Sequence, residues 1–381
     1  MNVLLATPYD FSATGGVTVV VKTLGERLMR AGDRAVFLIP QSGGTEKREI
    51  VDGIPLLRLP MREPVVERHP LRSRVAFLAY LLPTLLRLKR LLREEQIEVV
   101  NVHYFDRLWL YFFLLRRVLD FRLVVSVHGS DVLGKLGPRN VKYLEERVNS
   151  LDRVVYCSDG FRRQVVSVSS PLWPKSTPIL NGIELVETFS RKHETGDYIV
   201  CVAHLREHKA QDVLLRAFHE MKEEFPDVRV EMVGEGPFRR ELEKLVEELK
   251  LSGRVHFCGD VPRARALELI AGAKVFCLPS RREPFGLVIL EAMAQGVPVV
   301  ATNVGGVPEI LLRDVDGWLV EADSPTALSA ALREALTNQA KRQSYIRNAK
   351  LRVEDYFSVE RFFRDYRKLY SDVLTDQTKV T

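Results

Sequence analysis

The sequence predicts an α/β protein made of two domains, each wound around a parallel β-sheet. Three observations carry this expectation. A chain of 381 residues is too long for one typical domain and suits two of about 180. Short apolar runs alternate with helical stretches through most of the chain, and strand–helix alternation builds parallel sheets covered on both faces. The alternating series starts afresh at the apolar run 198–202, after the Asn181-Gly182 turn signal.

Composition narrows the class. A hydrophobic content of 46% with 28% charged residues is ordinary for a globular protein outside the membrane. The apolar-rich stretches 75–92 and 108–119 are too short or too charged to cross a bilayer. Met1 runs directly into an expected strand, so no signal peptide is expected. Cys157, Cys201, Cys258 and Cys277 are scattered in strand-like segments without CxxC or Cys/His spacing, which reads as buried thiols in a reducing cytoplasm and no metal site. Residues 1–190 carry 27 Lys+Arg against 20 Asp+Glu, and the remainder 29 against 30, so the positive charge lies in the first half. It admits an anionic partner such as a membrane surface or lipid phosphate, but its dispersion fits a solvated surface as well. A nucleic-acid partner is not expected, because clustered basic and aromatic readout is missing.

In the first half the expected strands are 3–6, 35–39, 98–102, 122–127 and 153–157. The expected helices are 17–31, 71–94, 107–119, 139–149 and 159–169. Ligands of such sheets bind outside the carboxyl ends of the strands. There, Thr14-Gly15-Gly16-Val17 opens the first helix; paired glycines let a phosphate or sugar approach the backbone, and they also suit a plain tight turn. No GxGxxG or GxxxxGK[ST] is present, which argues against a standard dinucleotide site or P-loop. His128-Gly129-Ser130-Asp131 follows the strand at 122–127, and Gly129 leaves room beside the imidazole. The stretch 60–74, with three prolines, reads as a loop before a long basic helix; residues 62–93 hold eight Arg/Lys and two Glu. Val75, Leu78, Leu82 and Leu85 share one face of that helix, which packing on the sheet explains and a membrane surface explains too. Pro83 should kink it.

In the second half the expected strands are 198–202, 228–233, 255–258, 275–278 and 297–301. The most informative stretch is Glu283-Pro284-Phe285-Gly286-Leu287-Val288-Ile289-Leu290-Glu291, which follows the strand at 275–278. Pro284 suits the first helical position, which would leave the amides of Phe285, Gly286 and Leu287 unpaired and favourable to an anion such as phosphate. Glu291, among Val288, Ile289, Leu290, Ala292 and Met293, is costly unless hydrogen-bonded, and sugar hydroxyls would serve. The bland alternative is a helix start whose acid complements the dipole. Asp314-Val315-Asp316 has the form of a metal-binding DxD, but Gly317 and the apolar residues after it read as a turn into a short strand.

The stretch 283–291, its continuation Ala292-Met293-Ala294-Gln295-Gly296-Val297-Pro298-Val299-Val300-Ala301, and Gly305-Gly306-Val307-Pro308-Glu309 resemble the C-terminal half of the retaining GT-B glycosyltransferases of family GT4, the glycosyl transferases group 1. The resemblance implies the GT-B fold, two Rossmann-like domains facing each other across a cleft. It implies an acceptor-side domain at 1–184 and a nucleotide-sugar-binding domain at 185–357. A C-terminal helix at 358–381 would pack back on the first domain. Ile179-Leu180-Asn181-Gly182-Ile183-Glu184, with Phe189 beyond, resembles the segment joining the domains, with Glu184 where Asp is usual. Ala203-His204-Leu205-Arg206-Glu207-His208-Lys209-Ala210 resembles the diphosphate-binding Gly-Arg-Leu…Lys-Gly segment, with Lys209 in register, His204 at the Arg position and Arg206 out of register.

The same resemblance assigns roles. His128 would lie against the donor hexose and Glu283 would contact it, while Lys209 would stabilise the leaving diphosphate; these three are the catalytic candidates. Glu291 would hold the ribose hydroxyls. Gly234, in Val233-Gly234-Glu235-Gly236-Pro237, would lie beneath the nucleotide, and Val261, in Gly259-Asp260-Val261-Pro262, would present backbone to the base. Gly15, Gly16, His204, Arg206, Phe285, Gly286 and Leu287 complete the expected nucleotide-sugar site. Tyr104-Phe105 and Tyr111-Phe112-Phe113 either border an acceptor groove or pack in the core. The implied activity is transfer of a hexose from a UDP- or GDP-sugar to a sugar, polysaccharide or lipid-linked acceptor, with no cofactor and no metal. The enzyme would be cytoplasmic, with peripheral contact at the inner face of the membrane through the basic first domain. The alternatives are a phosphorylase or epimerase of related geometry and a non-catalytic sugar-nucleotide-binding protein. A glycosidase carboxylate pair is disfavoured, because Glu291 on a helix beside Glu283 cannot face it across one bond.

Overall fold

The structure is a computed structural model. It describes residues 1–11, 15–41, 43–63, 70–134, 137–167, 170–184 and 196–376, without the side chains at 70–74, 107 and 170. Thr14, Phe189, the interior of the 60–74 loop and the end of the helix expected at 159–169 lie outside the described residues. The chain forms two compact units: Met1–Leu180 with Phe362–Thr381, and Asn181–Arg361. The sequence set these boundaries at 184/185 and 357/358.

The first unit holds β1 (Asn2–Ala6), β2 (Arg34–Gln41), β3 (Lys47–Val51), β4 (Ile54–Pro60), β5 (Val99–His103), β6 (Arg122–Val127), β7 (Arg153–Tyr156) and β8 (Ser176–Pro178) in one sheet of order β3-β4-β2-β1-β5-β6-β7-β8. Only the β3/β4 pair is antiparallel. The central strands are buried on both faces, as their unbroken apolar runs require. The helices are α1 (Gly16–Arg30), α2 (Pro70–Glu94), α3 (Leu110–Leu115), α4 (Ser130–Leu133), α5 (Gly137–Glu145) and α6 (Asp159–Val166). On α1 the residues Val20, Val21, Leu24, Gly25 and Leu28 face the sheet; a Cβ on Gly25 would lie 2.5 Å from the Phe37 ring, so glycine sets how closely this helix seats.

Three expectations are corrected in this unit. The polar β3 and its partner β4 were not anticipated. The helix expected at 107–119 is a single 3₁₀ turn, Arg107–Trp109, followed by the short α3. On α2 the inward residues are Phe77, Thr84, Leu88 and Leu91, whereas Val75, Leu78 and Leu82 are 69%, 66% and 64% exposed and so do not pack on the sheet. Pro83 sits on the exposed side of α2, which runs on through it.

The second unit has a fully parallel sheet of β9 (Tyr198–Val202), β10 (Arg229–Val233), β11 (Val255–Gly259), β12 (Val275–Leu278), β13 (Val299–Thr302) and β14 (Trp318–Val320), ordered β11-β10-β9-β12-β13-β14. Its helices are α7 (Gln211–Met221), α8 (Arg239–Glu248), α9 (Arg263–Ala271), α10 (Leu287–Ala294), α11 (Val307–Ile310), α12 (Pro325–Thr337) and α13 (Gln339–Tyr356). One side of the sheet buries Ile199, Cys201, Val230 and Met232 under Leu214, Phe218, Leu242 and Leu332. The chain's entry and exit are paired, since the Ile183 amide donates to the Phe357 carbonyl and the Val359 amide to the Ile183 carbonyl. Asp314 and Asp316 lie in the turn before β14: the Leu312 amide donates to Asp316, and Lys341 and Tyr345 donate to Asp314. All four cysteines are free; Cys258 is half-buried and not fully buried as expected.

The last helix, α14 (Val359–Thr375), belongs for most of its length to the first unit. It closes a buried polar network there. The Asn101 amide donates to the Tyr370 hydroxyl at 2.7 Å, the Ser126 hydroxyl donates to the Asn101 carbonyl at 3.0 Å, and Ser126 and Tyr366 share a hydrogen bond at 3.1 Å. Tyr370→Phe keeps the ring and leaves the buried Asn101 amide without its acceptor. It is expected to lower stability by about 1–3 kcal/mol in urea unfolding.

Candidate functional site

Each sheet has a switch point, where connections leave the first strand in opposite directions: β9 lies between β10 and β12, and β1 lies between β2 and β5. Ligands of open α/β sheets bind outside the carboxyl ends of strands at such points.

In the second unit the loop after β9 carries Lys209 and the loop after β12 carries Glu283. The Lys209 ammonium donates to Glu283 Oε2 at 2.6 Å, and the side chains are 18% and 8% exposed. The Ser280 hydroxyl donates to the same oxygen at 3.3 Å, so among the described residues Oε1 is left without a partner. The backbone of Glu283 is clamped by Gly305-Gly306. The Gly306 amide donates to the Glu283 carbonyl at 3.0 Å, and a Cβ on Gly305 would lie 2.0 Å from that oxygen. This contact accounts for Gly305, about twenty residues downstream. Arg281 braces the loop by bidentate hydrogen bonds to Asp212 on α7.

The start of α10 differs from expectation. Pro284 is not the first helical residue; the helix begins at Leu287, capped by Gly286 with φ 105° and ψ 55°. That left-handed backbone requires glycine and turns the chain sharply after Phe285. Phe285 is 3% exposed and packs on Phe357, so its part is to anchor the loop. Glu291 is also placed differently. It is 14% exposed, and Arg263 on α9 donates to its Oε1 from Nη2 at 2.7 Å and from Nε at 3.1 Å, which leaves Oε2 without a partner among the described residues.

His204 and Arg206 are exposed, and neither side chain has a partner among the described residues. Burial, with Lys209 and Arg282 nearby, holds the His208 pKa down to about 4. Ala210, where the resembling pattern has glycine, is left-handed at φ 56° and ψ 35°, a cost of about 1–2 kcal/mol for a residue with a Cβ. Gly234 has φ 131°, and its Cβ would lie 2.3 Å from the Ala203 carbonyl, so the loops after β9 and β10 touch backbone to backbone. Val261 lines a shallow cavity of about 430 Å³ with Tyr198, Glu231 and Cys258, a cavity that includes neither Lys209 nor Glu283.

In the first unit Gly15 caps α1 with extended backbone, and Gly15 and Gly16 are exposed with open space beside Gly15. His128 keeps part of its surface open, and burial of its ring lowers its pKa to about 4. Asp131 is 1% exposed and accepts from the amides of Phe105, His128 and Gly129; it holds the His-Gly-x-Asp loop in place. Its carboxyl is pushed up to about 6 by burial. Tyr104, after β5, has φ 67°, unusual for a bulky residue, and its ring meets Tyr9 edge to face at 4.9 Å. Phe105, Tyr111, Phe112 and Phe113 are buried core residues.

The structure thus joins Lys209, Glu283, Gly286 and Leu287 at one switch point. Ser280 and Arg263 were missed. Ser280 had the only local signal, a hydroxyl three residues before the acid; Arg263 lies twenty-eight residues from Glu291 and had none.

Lys209→Met strands the Glu283 carboxylate and should cost on the order of 3 kcal/mol in urea unfolding, whereas the double variant with Glu283→Gln should recover much of that loss.

The chain matches the family of glycosyl transferases group 1 over residues 184–352 and Glycosyltransferase Family 4 over residues 14–187. It is 30% identical over 273 residues to the GDP-mannose-dependent alpha-(1-6)-phosphatidylinositol monomannoside mannosyltransferase of Mycolicibacterium smegmatis, covering 66% of this chain and 70% of that protein. It is 26% identical to the N-acetyl-alpha-D-glucosaminyl L-malate synthase of Bacillus anthracis over 96% of both chains. Its fold matches that of Anabaena HepE in complex with UDP and glucose, with a TM-score of 0.78 at 18% identity, over 97% of this chain and 99% of that one. With one largely and one fully parallel sheet, a Lys–Glu pair at the switch point of the second and family matches that run from residue 14 to residue 352, the chain belongs to glycosyltransferase family 4 and is a glycosyltransferase of the GT-B fold.

Proposed function

We propose that this glycosyltransferase moves a hexose from a UDP- or GDP-sugar to a sugar, polysaccharide or lipid-linked acceptor with retention of anomeric configuration. The Lys209–Glu283 pair is the observation that carries the reading. Before the donor arrives it holds a cation and a carboxylate in place with little freedom to lose. With the donor bound, Lys209 turns to the diphosphate and stabilises the charge that grows as the glycosidic bond breaks. Glu283, steadied by Ser280 and by Gly305-Gly306, keeps its second oxygen for the hexose. The amides of Leu287 and Val288 open α10 toward the phosphates, and His204 and Arg206 add donors. Glu291, oriented by Arg263, offers Oε2 to the ribose hydroxyls, and Val261 presents its backbone to the base. His128 serves the hexose. No side chain acts as a nucleophile in this reading: the leaving phosphate takes the acceptor proton on the face it departs from. The named relatives favour a nucleoside diphosphate of either base, one being GDP-mannose-dependent and the other complexed with UDP.

Calorimetric titration with UDP, GDP and ADP, with and without EDTA, is expected to show binding of one nucleotide that EDTA does not change. Glu283→Gln should then lower kcat by on the order of a hundredfold with nucleotide affinity kept. Full activity in that variant removes Glu283 from its role.

The exposed face of α2 favours a membrane surface for the acceptor. Val75, Leu78, Leu82 and Leu86 are 57–69% exposed, and Lys89, Arg90 and Arg93 continue the same stripe on the next turns. Among the described residues no helix is long and apolar enough to cross a membrane. Co-sedimentation with vesicles containing phosphatidylglycerol is expected for the intact protein and should be lost in Leu82→Glu with Leu86→Glu. Equal sedimentation of both proteins rejects the contact.

A further inference from the structure

His103 is the last residue of β5 and is fully buried. Its Nδ1 lies 3.2 Å from Nε2 of His128, and the two rings meet edge to edge, centroids 5.4 Å apart and planes 24° apart, as an in-plane hydrogen bond requires. The Tyr366 ring of α14 lies beside that of His103, centroids 6.2 Å apart and planes 30° apart. The Tyr366 hydroxyl is engaged by Ser126, and His103 Nε2 is buried without a hydrogen-bond partner. His128 Nδ1 has no partner among the described residues.

Both imidazoles are neutral at neutral pH, because burial lowers both pKa values. A hydrogen bond between two neutral imidazoles holds one proton, so only two arrangements exist. If His128 donates from Nε2, then His103 must carry its own proton on Nε2, as a buried N–H with no acceptor. If His103 donates from Nδ1, its Nε2 is a bare lone pair, and His128 carries its proton on Nδ1. Orphaned buried N–H groups are rarer than under-satisfied acceptors, so the second arrangement is favoured.

We propose that His103 is a positioning residue that donates Nδ1–H to His128 Nε2 and thereby fixes His128 as the Nδ1–H tautomer, a hydrogen-bond donor toward an oxygen of the bound sugar. The identity of that oxygen's owner rests on the hexosyl-transfer reading above; the tautomer does not. The geometry assigns His103 no contact with substrate. Its effect passes through one proton on a neighbouring ring.

Nitrogen-15 NMR of the protein decides the point without any assay. The eight histidines are few enough to resolve, and the His128 signals are assigned by their loss in His128→Asn. The expected spectrum of the unsubstituted protein shows His128 protonated at Nδ1. His103→Leu should release His128 to the Nε2–H form and lower kcat by on the order of tenfold, with nucleotide affinity unchanged. His103→Asn, whose amide reaches the place of Nδ1–H, should retain the tautomer and most of the rate. An Nε2–H tautomer in the unsubstituted protein overturns the proposal, as does an unchanged His128 spectrum in His103→Leu. If His103→Leu does not fold, the unsubstituted spectrum and His103→Asn still decide. Should the correct tautomer be found in a protein that turns over no donor, the functional reading fails and this assignment stands.

Discussion

The ion pair between Lys209 and Glu283 is the interaction around which the second unit is arranged. Two charges removed from water are costly to keep unless each is paired and held. The fold meets that demand from three loops. The 3₁₀ turn after β9 delivers Lys209, the loop after β12 delivers Glu283 and Ser280, and Gly305-Gly306 after β13 grips the Glu283 backbone from outside. These loops meet because β9, β12 and β13 are adjacent and parallel, so their carboxyl ends share one edge. The sheet order is therefore a precondition of the pair, and the grip on Glu283 is the reason Gly305 cannot be exchanged.

A second constraint is backbone crowding. Gly234 and Gly236 lie against the Ala203 and Leu205 carbonyls, and Gly305 lies against that of Glu283. Side chains at these places would separate the loops by the width of a methyl group. The loops that carry the site's side chains are consequently held main chain against main chain. That suits a ligand recognised through phosphate and ribose oxygens, since backbone amides are rigid donors that need no ordering at binding.

Much of this was legible in the sequence, for physical reasons. Buried parallel strands leave unbroken apolar runs, and 198–202 and 275–278 were read to the residue. The spacing from Glu283 to Gly305-Gly306 was visible as a pattern, although the clash that enforces it was not. What stayed hidden involved choices between equivalent faces or distant partners. On α2 both faces carry apolar residues, so periodicity could not tell that Phe77 and Leu88 turn inward and Val75 and Leu82 outward. Pro284 looked like a helix start, and the left-handed Gly286 displaced the start to Leu287. Strand β3, with Lys47, Arg48 and Glu49, has no apolar alternation to announce it.

The final helix has one more consequence, for the order in which the molecule can be completed. The first unit is interrupted in sequence: it stops at Leu180 and resumes at Phe362. Asn101 and Ser126 are made before the second unit begins, and their hydroxyl partners on Tyr370 and Tyr366 are made only after it ends. The second unit is uninterrupted from Asn181 to Arg361 and has all its strands available before that point. The unit begun first is thus closed after the second, and until residues 366–370 are made its sheet carries an uncovered polar seam. A nascent chain arrested before residue 362 would hold a complete guest inside an unfinished host.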